Sequence, residues 1–149
     1  MSLDVDVDAD GVRIPLARAR VAALARGVLR AERVHDARLS IAFVSSRVMA
    51  GMNRRHLGHS GPTDVISFAL PSRASGEPLA GDVYIAPDVA RANAIEHDVS
   101  LREELARLVV HGTLHVLGHD HPDSEKRTTS PMWKRQEQLV SRLAAEWRP

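Results

Sequence analysis

Val110-His111-Gly112-Thr113-Leu114-His115-Val116-Leu117-Gly118-His119-Asp120-His121 holds four of the chain's eight histidines. His111 and His115 stand four apart in an apolar run, a spacing that stacks them on one helical face about 6 Å apart along the axis. Gly118 supplies the left-handed residue that commonly ends a helix, so a turn there brings His119 or His121 back over the same face. Two imidazoles on one helical turn and a third from the following turn make a three-histidine metal site. Solvent-facing histidines near a helix end, favoured by the helix dipole, account for one or two of the four. They do not account for two ionisable groups within Val-Val-His-Gly-Thr-Leu-His-Val-Leu, where burial is costly unless the group is satisfied.

Spacing alone leaves the third ligand open. His111, His115 and His119 continue an i, i+4 series, but Gly118 breaks the helix before residue 119. Asp120 is placed to accept a hydrogen bond from a ligand imidazole and fix its tautomer. Three protein ligands without a clear fourth is the pattern of a catalytic zinc, which keeps a position for water and lowers that water's pKa to about 7. The zinc-peptidase signature His-Glu-x-x-His needs a glutamate where this chain has Gly112, so the peptidase base is missing. The reading is a metal-dependent hydrolase with peptide bonds disfavoured.

The rest of the chain sets bounds on that reading. Its 149 residues fit one domain, 1–149, with one sizeable core. No apolar run approaches the roughly 20 residues of a membrane helix, and Met1-Ser2-Leu3-Asp4 lacks the parts of a signal peptide. Cysteine is absent, which excludes disulfides and thiolate-rich zinc fingers and makes a reducing cytoplasm the simplest compartment. The net charge of +1 does not advertise a nucleic-acid partner globally, so any polyanion contact must come from local clusters of positive charge. The few aromatic residues argue against a broad base-stacking platform.

Periodicity predicts the order βαβαββααα. Leu3 to Asp8 alternates apolar and acidic residues and reads as a half-buried strand, with Asp4, Asp6 and Asp8 on a solvated face. A helix is predicted from Pro15 to about Val34, with Leu16, Ala19, Ala23, Val28 and Leu29 among its core residues. A strand follows over Asp36–Ser45, then a helix capped by Ser45 or Ser46 and running to about Leu57, with Val48, Met49 and Met52 inward. Thr63–Leu70 and Gly81–Ala86 read as strands on either side of a Pro-, Gly- and Ser-rich loop over Pro71–Ala80. Asp88 starts a helix to about Glu96. Ser100, with Glu103 as a capping box, starts the histidine helix, which runs to Leu117 on a stripe of Leu101, Leu105, Leu108, Val109 and Val116. A last helix runs from Asp123 to the end, interrupted at Ser130-Pro131. The fold class expected is α+β: one small mixed sheet of about four strands, helices packed on it, and the metal site at the end of a late helix.

The run from His111 to His121 resembles the hallmark of the YbeY-type bacterial endoribonucleases, the ribosomal-RNA maturation factors, His-Gly-x-Leu-His-Leu-x-Gly-x-Asp-His. Upstream, Met52-Asn53, Gly58 and Pro62-Thr63-Asp64-Val65-Ile66-Ser67-Phe68 resemble that family's Leu-Asn, Gly and Pro-Thr-Asp-Val-Leu-Ser-Phe segment. Gly81-Asp82-Val83-Tyr84-Ile85 resembles its Gly-Asp-Ile-x-Ile strand, and Met132 with Glu137 resembles its last helix. These segments span residues 40 to 140. The resemblance implies one Zn2+ held by His111, His115 and His121 with a water, which sets His119 aside. It implies cleavage of single-stranded RNA, 3′-end maturation of small-subunit ribosomal RNA, late ribosome quality control and a cytoplasmic location. RNA and the ribosome are the implied partners, with no DNA or membrane.

One departure stands out. The family usually carries an arginine before the glycine of its Arg-Gly loop, and here that position is Leu57. Arg54 and Arg55 lie within one helical turn and are the candidates for the missing charge, against a plain solvated helix face. Two alternatives to the endoribonuclease are a non-catalytic zinc-binding ribosome-assembly factor and a metal-dependent hydrolase of another bond.

Overall fold

The computed structural model describes residues 1–70, 77–121 and 128–149. Four strands, β1 (Leu3–Ala9), β2 (Ala37–Phe43), β3 (Val65–Leu70) and β4 (Leu79–Ile85), form one sheet in the order β1-β2-β4-β3. β1, β2 and β4 run parallel, with Val5 opposite Leu39 and Ile41 opposite Val83. β3 closes the edge antiparallel to β4, with Ser67 opposite Val83. This is the expected α+β class with a mixed four-stranded sheet.

Alternation decides what each face buries. Val5, Leu39, Ile41, Phe43, Val83 and Ile85 point to one side, into a core shared with α1 (Arg18–Ala31) and α4 (Leu101–Val116). Asp4, Asp6 and Asp8 point to the other side and are exposed, as the β1 alternation predicts. On that side α2 (Ser46–Leu57) sets Met49 and Met52 against Ile66 in a smaller cluster that Phe68 and Tyr84 flank. α3 (Pro87–His97) and α5 (Pro131–Arg142) both pack on α4.

α4 is therefore central. The expected stripe of Leu105, Leu108, Val109 and Val116 is buried, but so are Glu104, Ala106, Val110, His111, Gly112, Thr113 and Leu114. A helix buried nearly all round is sandwiched between layers rather than laid on a surface. Two glycines let it approach the sheet. A Cβ on Gly112 would stand 2.5 Å from Val83 Cγ1, and one on Gly81 would collide with Val116 Cγ1 and with the Phe68 carbonyl.

The capping signals hold. Ser45 accepts from Val48 N and Ser100 from Glu103 N, satisfying amides that a helix start otherwise orphans. The box at Ser100 is only half used, because the Glu103 carboxylate accepts instead from Arg107.

Several boundaries and core assignments differ from the expectation. α1 begins at Arg18, not Pro15, and ends at Ala31, and Ala19 is exposed, because the buried face is set by Val21, Leu24, Ala25 and Val28. Val48 is exposed one position off the Met49 and Met52 face. β4 begins at Leu79, two residues before Gly81, since pairing with Ala37 and Arg38 of β2 extends it. The expected loop therefore stops short of Leu79, and its residues 71–76 lie outside the described residues. Ser130-Pro131 starts α5. Ser130 Oγ accepts from Trp133 N, and Pro131 occupies the first turn, where no amide is missed. The expected helical segment over 123–127 lies outside the described residues.

Candidate metal centre

α4 carries His111 and His115 on its last two turns and ends as Gly118 requires. Gly118 adopts φ 98°, its N–H bonds the His115 carbonyl, and the His119 N–H bonds the Leu114 carbonyl. This paired closure satisfies two late carbonyls and reverses the chain. His121 then returns over the helix. One ligand atom from each of His111, His115 and His121 lies within 4.8 Å of the others. The ring centroids stand 4.6, 4.9 and 5.1 Å apart. Among the described residues this is the group that can hold a metal ion.

The turn brings His121, not His119, to His111 and His115. His119 faces Glu32 at the end of α1, with Nε2 at 3.7 Å from the carboxylate, and stands outside the cluster. Asp120 accepts from the backbone N–H of His121 at 2.8 Å, so its carboxylate shapes the turn that carries His121.

The proton on His111 follows from a chain of donors and acceptors. Arg107 donates two 2.9 Å bonds to the Glu137 carboxylate. Burial, the largest influence on Glu137, pushes its pKa up, but the hydrogen bonds from Arg107 and Gln136 and the Arg107 charge outweigh it and hold it below the usual value. An ionised carboxylate only accepts. Gln136 must therefore turn its amide N–H to Glu137, at 3.0 Å, and its carbonyl oxygen to His111. That oxygen stands 2.7 Å from His111 Nδ1, so Nδ1 carries a proton. A ring whose other nitrogen is fixed in this way is oriented as a metal ligand.

Sequence reasoning missed Gln136. It lies 25 residues from His111, on a different helix, and no local spacing announces it. Glu137 was legible only as part of the resemblance, and Arg107 not at all. The single clue was chemical: a buried histidine requires a partner.

The three arginine-related positions lie elsewhere. Arg54 and Arg55 are exposed on the last turn of α2, across the sheet from α4. Leu57 follows them, 51% exposed. The end of α2 meets the edge strand β3 through His56, whose ring stands 5.2 Å from that of Phe68. α4 approaches the same strand from the other face, where Ser67 Oγ bonds the Gly112 carbonyl. Gly112 also shows why a peptidase glutamate has no place here: the position faces Val83 and Ser67 of the sheet, not the three histidines.

The chain was compared with known proteins. A family model described as Endoribonuclease YbeY matches residues 7–144. A Frankia casuarinae protein of that name is 42% identical over 135 residues, 82% of this chain and 65% of the relative, just under two thirds of its length. A Thermobifida fusca protein of the same name is 38% identical, covering 99% of this chain and 95% of the relative. The solution structure of a Thermotoga maritima protein superposes with a TM-score of 0.64 at 25% identity, covering 97% of this chain and 91% of that one. No helix among the described residues is long and apolar enough to cross a membrane. Matched over residues 7–144 and with relatives this similar along most of its length, the chain belongs to the YbeY endoribonuclease family.

Proposed function

We propose that this chain, acting as one domain over 1–149, is a zinc-dependent endoribonuclease of ribosomal-RNA processing in the cytoplasm. Its substrate is single-stranded RNA, its task is 3′-end maturation of small-subunit ribosomal RNA with late ribosome quality control, and the ribosome is its partner. The observation that carries the reading is the triad of His111, His115 and His121 with His111 locked by Gln136, found in a member of the YbeY family. The donor set fits the metal: three imidazoles, the most buried of them oriented through its Nδ1 by Gln136.

His111, His115 and His121 would hold the ion. When bound there, zinc supplies Lewis acidity toward a phosphodiester and activates a water. The protein's own part is to position and to neutralise. Arg54 and Arg55 have no ion-pair partner among the described residues and sit at a helix end that reaches β3. An RNA strand crossing the β3 edge meets their guanidinium groups on one side of the sheet and the histidines on the other. Arginine suits that role because its planar fork matches phosphate oxygens. With Leu57 in place of the family arginine, these two side chains carry the positive charge of this segment.

The test is an RNA digest with highly purified protein. Cleavage of single-stranded ribosomal RNA is lost with a chelator and restored by zinc. His115→Ala removes both stoichiometric zinc, measured by elemental analysis, and cleavage. Full zinc retention in that variant refutes the ligand assignment. Leu57 favours a second reading, a non-catalytic assembly factor, and metal-loaded protein that binds ribosomal RNA without cutting it would establish that reading instead. A 2′-deoxy substitution at the cleavage site then assigns the nucleophile: continued cleavage excludes the RNA 2′-hydroxyl.

A further inference from the structure

His111 belongs to two environments. One is the histidine cluster. The other is a cavity of about 560 Å³ walled by Asp64, Asn93, Glu104, Arg107, His111 and Trp133, which the chemistry above does not use. Its volume is that of a pocket for a nucleotide-sized ligand.

The cavity contains an unmet acceptor. Glu104 is 3% exposed, and its Oε1 has no hydrogen-bond partner among the described residues. Arg107 Nη1 stands at 3.7 Å and His97 Nδ1 at 3.9 Å, both beyond hydrogen-bond reach. Four of the five Arg107 N–H groups serve Glu137 and Glu103, which holds the guanidinium away from Glu104. Asp64 faces the same space, with Asn93 Nδ2 on one oxygen at 3.2 Å and the Thr63 hydroxyl 3.5 Å from the other. Burial pushes the Glu104 carboxyl up, and Asp64 and Glu103 add to it against the Arg107 and His97 charges. A buried carboxylate oxygen without a donor is costly, so its retention beside an opening of this size calls for a ligand that brings donors.

The lining says which donors. Asp64, Glu104 and Glu137 against Arg107 leave the walls net acidic, which disfavours a phosphate and favours a group rich in N–H. Trp133 offers an indole ring, and Val99 and Leu108 offer apolar surface, the surroundings in which unpaired RNA bases stack. Guanine alone among the RNA bases presents two adjacent donors, N1–H and the N2 amino group, on its pairing edge. Those two donors match the two oxygens of one carboxylate. Adenine and cytosine set an acceptor beside their amino group, and uracil sets its single N–H between two acceptors.

We propose that this cavity is a base-recognition subsite that takes an unpaired guanine next to the scissile phosphate, with Glu104 accepting from N1–H and the N2 amino group and Trp133 against the base face. The proposal rests on reading the chain as an endoribonuclease and adds a sequence preference to it.

The experiment titrates zinc-loaded full-length protein with the 5′-monophosphates of guanosine, inosine, adenosine, cytidine and uridine, by calorimetry and tryptophan fluorescence. The phosphate is common to all five and cancels in the comparison. Inosine keeps N1–H but lacks the N2 amino group. Guanosine monophosphate binds about tenfold or more tightly than the other four. Glu104→Gln, which turns one acceptor into a donor, brings the five within about twofold. Equal affinities in the wild type, no binding of any of them, or an unchanged guanine preference in Glu104→Gln overturns the subsite. Circular dichroism checks the variant's fold, and the wild-type series decides alone where the variant does not fold. A single-stranded RNA digest on the same sample separates the two claims. Cleavage without base preference refutes only the subsite, while guanine preference without cleavage refutes only the nuclease reading.

Discussion

Gln136→Leu removes the acceptor behind His111 at nearly constant volume. Gln136 is 1% exposed and His111 6%, so water cannot take the place of the lost carbonyl. A metal on Nε2 forces the proton onto Nδ1, and in the variant that N–H faces a leucine. The metal-free protein escapes by moving the proton to Nε2, so the cost falls on the loaded form. An orphaned buried donor costs about 1–3 kcal/mol. At 1.4 kcal/mol per factor of ten, zinc affinity falls about 5- to 140-fold. Partners behind metal-bound histidines typically contribute roughly 10- to 100-fold. The assay is competition against a chromophoric chelator at neutral pH, with melting curves of metal-free and loaded protein beside it. The gap between the two melting temperatures narrows in the variant. A folded Gln136→Leu protein that binds zinc within about twofold of wild type refutes the assignment of the His111 proton.

Gly112→Ala puts a methyl group 2.5 Å from Val83 Cγ1, in the tight seam between α4 and the sheet. It destabilises the fold by about 1–3 kcal/mol, a fall of about 3–10 °C in melting temperature, and an unchanged melt would show that the seam yields freely. Arg54→Gln with Arg55→Gln leaves zinc binding intact. If both guanidinium groups contact phosphates, the pair of changes flattens the slope of log K against log salt for single-stranded RNA by about 1.4. An unchanged slope identifies a merely solvated face. Glu104 has a folded-state pKa raised above the unfolded value of 4.5, chiefly by burial. Its protonated form is favoured by folding, so this contribution is full below 4.5 and is lost as pH rises through the folded value. Glu104→Gln lacks that loss, so its melting temperature relative to wild type climbs from pH 4 to neutrality, and parallel curves would contradict the raised pKa.

What could be read without coordinates was local. His111 and His115 declare themselves because a four-residue step and an apolar background are properties of one helix. Gly118 and the Ser45 and Ser100 caps are likewise settled within a few residues. The order β1-β2-β4-β3 was not legible, since alternation shows which face is buried and not which strand is the neighbour. Leu79 and Ala80 become strand only because β2 offers Ala37 and Arg38 to pair with. That Ser130 caps α5 is shown by the bond from Trp133 N to its hydroxyl. Gln136 and Arg107 enter the site through the packing of α5 on α4. Glu104 lies in the first turn of α4, and only the packing of α3 and of the segment before β3 encloses it.

Glu32 binds Arg135 of α5 at 2.6 Å and stands 3.7 Å from His119 just past the end of α4. It therefore ties the end of α1 and the body of α5 to the turn that carries His121. Two of the candidate ligands ride on a buried helix, while the third sits on the turn that this contact holds. An ion held there would have two fixed donors and one carried by a turn, so its residence time would be set by the turn rather than by the helix. Glu32→Ala, far from any donor atom, is expected to speed metal release while the His111 and His115 spacing, fixed by the helix, stays as it is.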